Sequence, residues 1–113
     1  MLASGAGLRI AAVEDPGQRQ EIQFIVRPEQ EAGVYANFLA VWHSAHEFTL
    51  DFCTTQPARP AEDDPERMVM PCLVVSRIKI PVTLIFDVVR ALNENMTRYE
   101  ETFGEINRPG GAH

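Results

Sequence analysis

The segment from Pro81 to Phe103 reads as one amphipathic helix closed by Gly104, and its length limits what the rest of the chain can do with it. Ile85, Val88 or Val89, Leu92, Met96, Tyr99 and Phe103 recur by threes and fours, the spacing that keeps one helix face apolar. At 1.5 Å per residue such a helix spans roughly 35 Å. A four-stranded sheet is only about 19 Å wide. A helix crossing such a sheet would overhang it, one lying along the strands is expected to need more cover than a small sheet offers, and Val82 and Phe86 widen the apolar arc further. The expected cover is a second copy of the chain.

The remaining pattern is that of strands. Ile22, Phe24 and Val26 alternate along a first strand that Pro28 stops, and Val34 to Trp42 forms a second after a turn at Glu29 to Gly33. In that second strand Val34, Ala36, Phe38, Ala40 and Trp42 point one way and Tyr35, Asn37, Leu39 and Val41 the other, so both faces are largely apolar. Phe48, Leu50 and Phe52 then alternate with Glu47, Thr49, Asp51 and Cys53, completing a hairpin. Thr55 to Arg67 holds Pro57, Pro60 and Pro65 among acidic residues and is expected to be a long flexible loop. Met68 to Ile80 is the last strand, with pairing expected only after Pro71. Residues 1–20 show neither period and are expected to be a disordered tail, as are residues 107–113; residues 21–106 form a single domain. The expected fold class is α+β: about four strands in a mainly antiparallel sheet, followed by one long C-terminal helix.

Composition narrows the partners. With 113 residues and 45% apolar content, the chain is long enough to bury a core without disulfide or metal support. Its net charge of −6 disfavours nucleic acid, whose recognition leans on clustered Lys and Arg. Arg77, Lys79 and Asp87 break the longest apolar runs, so no membrane span is expected. No secretory leader is visible at Met1 to Ala12, and the expected compartment is the cytoplasm, with Cys53 and Cys72 as reduced thiols.

Motifs for chemistry are sparse. His43 and His46 with Cys53 or Cys72 would supply zinc ligands by type, but both cysteines fall mid-strand, far from the hairpin tip. The same distance argues against a nucleophilic Cys53 activated by histidine. Glu62, Asp63, Asp64 and Glu66 lack the spacing of a calcium loop. Asp51, Arg77 and Lys79 are explained most cheaply by pairing across neighbouring strands; an Arg77 turned into a cleft would instead anchor a carboxylate or phosphate, with Lys79 beside it. No metal site and no cofactor is expected.

Four pieces together resemble a prokaryotic family catalogued as a domain of unknown function, number 3467. They are Val34-Tyr35-Ala36-Asn37, Glu47-Phe48-Thr49-Leu50-Asp51-Phe52, Val74-Val75-Ser76-Arg77-Ile78, and the helix end from Asn95 to Gly104 with Tyr99-Glu100-Glu101 and Phe103-Gly104. The resemblance covers about Ile22 to Ile106 and implies a strand-rich body with a C-terminal helix; it brings no catalytic residues. The order of elements also looks like that of the export chaperone SecB, a likeness of architecture alone.

The residues expected to mediate self-association are Ile85, Val89, Leu92, Met96, Tyr99 and Phe103 on the helix, with Tyr35, Leu39 and Val41 on a free sheet face. The expected activity is non-enzymatic: an oligomeric protein-interaction module, adaptor or chaperone-like, that binds itself and another protein. The competing reading is a small-molecule or anion-binding protein using Arg77, Lys79, Asp51 and His43 in a cleft between subunits.

Overall fold

A computed structural model of the chain describes the backbone of Ile10–Asp15 and residues 20–108 in full. Among these described residues seven strands and one long helix follow in order: β1 (Ile10–Asp15), β2 (Gln20–Ile25), β3 (Phe38–His43), β4 (Glu47–Thr55), β5 (Arg59–Pro60), β6 (Met68–Val69), β7 (Cys72–Pro81) and α1 (Ile85–Phe103). The architecture is α+β, with antiparallel strands leading into a C-terminal helix.

The central sheet has three strands in the order β3-β4-β7 rather than four, because the first expected strand does not join it. That strand, β2, pairs instead with β1, Ile10 opposite Ile25 and Asp15 opposite Gln20. Part of the segment expected to be a tail is thus a strand. Its signal was weak because Ala11 and Ala12, poor strand formers, dilute Ile10 and Val13, and an isolated β2 would leave its backbone groups unpaired. The other residues of that expected tail, and 109–113 of the C-terminal one, lie outside the described residues.

Strand β3 begins four residues later than its composition suggests. Gly33, at φ 73°, donates its N–H to the Gln30 carbonyl and closes a turn that only glycine enters without strain. Asn37 then fixes where pairing starts: its backbone N–H reaches the Cys53 carbonyl at 2.9 Å, and its side-chain oxygen accepts the Thr55 N–H at 3.0 Å. At the other end Ser44 accepts the N–H groups of His46 and Glu47 and turns the chain into β4.

The proline-rich stretch expected to be a flexible loop is a second small hairpin, β5 with β6. Its charges organise the turn. Ala61 donates to the Arg67 carbonyl at 2.8 Å, Arg67 pairs with Asp63 at 2.6 Å, and Asp64 accepts the Glu66 N–H. The last strand is correspondingly split at Pro71, and β7 starts at Cys72.

Pro81 ends β7 opposite Glu47 and does not open the helix; β7 is an edge strand, where a residue without an N–H is tolerated. One 3-10 turn, Val82–Leu84, then leads into α1. The helix closes on Gly104, whose N–H bonds the Glu100 carbonyl at φ 99°. On its polar side Glu94 pairs with Arg98, whereas Arg90 turns back to Asp87 and not forward to Glu94. Among the described residues, and beyond isolated contacts, α1 packs only on the Val82–Leu84 turn and β2 pairs with β1 alone.

Candidate functional site

Opposed residues of an antiparallel pair share a face, so the register sorts the central sheet into two surfaces. One carries Ala40, Trp42, Glu47, Thr49, Asp51, Cys53, Arg77 and Lys79; the other carries Leu39, Val41, His43, Phe48, Leu50, Phe52, Ile78 and Ile80. A bulge where Phe52 faces Ser76 but Cys53 faces Val74 leaves Val75 without a partner and brings Val74 onto the first face.

The polar face is held by Asp51. Arg77 grips it bidentately, Nε to Oδ1 at 2.7 Å and Nη2 to Oδ2 at 2.8 Å, and the Trp42 indole N–H donates to Oδ2 at 2.9 Å. Asp51 is only 3% exposed and has no unpaired oxygen. The Arg77 hydrogen bond holds its carboxyl below the usual range, against the upward pull of desolvation, with the Trp42 hydrogen bond adding to the depression. A carboxylate so held is a poor proton acceptor at neutral pH. Beside it Lys79 donates to Glu47 and to the Thr49 hydroxyl, both at 3.1 Å.

Asp51, Arg77 and Lys79 are therefore brought together as cross-strand pairs, and each cation already has an internal carboxylate. His43, the fourth member of the expected anion site, lies on the opposite face of the sheet with its ring against Phe48. Cys53 is buried, and desolvation pushes its thiol up, away from the thiolate a nucleophile needs; Cys72 is exposed. Among the described residues no three His, Cys, Asp or Glu side chains converge as metal ligands, and no helix is long and apolar enough to cross a membrane. Two depressions, of about 320 Å³ beside Asn93, Glu94 and Arg98 on the polar side of α1 and about 230 Å³ within the β5–β6 hairpin, gather no nucleophile with a base.

The second face is the unusual one. Leu39, Val41 and Ile78 stand about half exposed, and Phe48, Leu50, Phe52 and Ile80 are only partly covered. Along α1, Val89, Leu92, Met96 and Tyr99 are about half exposed and Phe103 is 74% exposed, while Ile85 is partly covered beside the Val82–Leu84 turn. Tyr35 is exposed too, but it precedes β3 and stands outside the strand alternation that sets this face. The buried residues among those described are Thr49, Asp51 and Cys53, all on β4.

One family model, described as a protein of unknown function (DUF3467), matches residues 10–108, nearly the whole chain. The chain belongs to this family. The match begins at the first residue of β1, so the hairpin that the strand pattern concealed is part of the family's domain. No curated protein and no solved structure matches the chain, and the likeness to SecB rests on element order alone.

The sequence singles out Leu39, Val41 and the helix stripe as apolar surface, but not Phe48, Leu50, Phe52, Ile78 and Ile80, whose alternation shows only that they share a strand face. The signal that would have placed them is the register itself, which sets them beside Leu39 and Val41. The Trp42–Asp51 bond left no sequence signal, since its two residues lie nine apart on neighbouring strands and only the register sets them on one face.

Proposed function

We propose that this protein is a non-enzymatic module that assembles with itself and presents the assembly to another protein, as an adaptor or chaperone-like subunit. One observation carries the reading: Leu39, Val41 and Ile78 on the sheet and Val89, Leu92, Met96, Tyr99 and Phe103 on the helix all stand between 44% and 74% exposed. They belong to two patches, the sheet face from Leu39 to Ile80 and the helix stripe from Val89 to Phe103. Exposed apolar surface on this scale marks an interaction site. We place the assembly in the cytoplasm, where Cys53 and Cys72 would stay reduced.

The polar face supports the same reading from the other side. Its charges are spent on holding strands together, so Arg77 and Lys79 are engaged rather than free to bind an anion. Two assays test the proposal: recovery of a defined partner with the full-length protein as bait, and suppression of aggregation of a chemically denatured client. Capture or suppression that Leu92→Ala with Met96→Ala abolishes supports it. A phosphate or carboxylate compound that raises the melting temperature of the wild type, but not of Arg77→Ala, would contradict it.

A further inference from the structure

Self-association leaves open which surface meets which. We infer that two copies exchange helices, α1 of each protomer lying along the apolar face of the other's β3-β4-β7 sheet; this pairing rests on the self-association proposed above. The occupant of the bare sheet face is thus a second copy of this chain.

Three observations on the protomer argue for it. First, α1 leaves β7 through the three-residue turn Val82–Leu84 and, among the described residues, makes no more than isolated contacts with any other element, so its stripe and the sheet's apolar face are both present and largely unpartnered. Second, the two surfaces match in size. The helix, 19 residues, is about 28 Å long, and β4, 9 residues, is about 30 Å long. Three strands are about 14 Å wide and a helix with its side chains about 10 to 12 Å, so one helix covers one such face. Third, the area suffices: a helix about 28 Å by 11 Å meets its complement on two patches of each protomer, about 1,200 Å² over the four surfaces of the dimer, the low end of a stable interface.

Exchange also closes. Helix on sheet uses two different patches of each copy, and a two-fold axis lets each patch meet its complement once, with neither left over. Helix on helix alone would cover the stripe and leave Leu39, Val41, Phe48, Leu50, Phe52 and Ile78 in water.

The test is complementation between two full-length variants. One carries Leu92→Asp with Met96→Asp on the helix; the other carries Leu39→Asp with Val41→Asp on the sheet. Exchange predicts that each alone sediments at 12.7 kDa, and that an equal mixture shifts to twice that mass. The mixture joins an intact helix to an intact sheet face. A sheet variant that remains as dimeric as the wild type overturns the pairing, because the helices then suffice. A mixture that stays monomeric overturns it as well, since stacking like on like leaves no undamaged contact. A monomeric wild type would instead remove the self-association on which the pairing rests. Should either aspartate variant lose its circular dichroism, single cysteines at Val41→Cys and Met96→Cys on a Cys72→Ser background answer the same question. A flexible bismaleimide should link the two variants to each other, and linkage of Met96→Cys predominantly to itself would overturn the pairing.

Discussion

Replacing Leu92 and Met96 by alanine should weaken association by a calculable amount without lowering helix propensity. The two side chains are 58% and 47% exposed in the protomer, so about half of their transfer free energy remains for association to gain. Full burial of Leu or Met is worth about 1.5 to 3 kcal/mol, which leaves about 1 kcal/mol per side chain. Two side chains on each of two helices give about 4 kcal/mol, or about a thousandfold in Kd at 1.4 kcal/mol per tenfold. Alanine is the best helix former, so the loss is one of contact and not of helix propensity. Sedimentation velocity over a dilution series reads the Kd, and far-ultraviolet circular dichroism at each concentration reads the helix. Because α1 has little packing of its own, and isolated helices are marginal in water, helical signal should fall in step with dissociation. An associating wild type whose Kd is unchanged in the double variant would refute the reasoning, placing the interface on another surface.

Other perturbations probe the polar face and the helix end. Asp51→Asn should melt below the wild type at pH 7; since Asp51 titrates below its ordinary 3.8, the charged pair is fully formed above about pH 5 and is lost as pH falls through the depressed value, so the gap should close under acid. An equal gap at pH 3 and pH 7 would contradict the assignment. Gly104→Ala meets no neighbouring atom, so its cost is backbone strain at φ 99°, on the order of 1 to 3 kcal/mol, read as faster amide exchange in the last turn of α1 and a lower melting point. In the native protein one thiol, Cys72, should react promptly with a maleimide, and Cys53 only after denaturation.

The helix was the most legible element, because Ile85 to Phe103 carries a strong period and Gly104 a stop signal that needs no tertiary context. The β3–β4 hairpin was legible for the same reason, its faces set by the alternation of Phe48, Leu50 and Phe52 with Thr49 and Asp51. What escaped depended on long-range pairing. Strand β1 is visible only through its partner β2, and the start of β3 is fixed by Asn37 reaching Cys53 and Thr55 across the sheet. The prolines and acids between β5 and β6 look like an unstructured run in sequence, yet Asp63 and Asp64 bond Arg67 and the Glu66 N–H to make a turn. The candidate surface was half legible. Its helical half shows in one segment, whereas its sheet half is assembled from three strands whose register the sequence does not state.

The central claim is that the apolar surface of one chain is covered by another, and the mass of the intact protein at sedimentation equilibrium tests it most directly. The account predicts a species of at least twice 12.7 kDa at micromolar concentration, falling toward the protomer on dilution. A single 12.7 kDa species at every concentration, with its helix content intact, would contradict it.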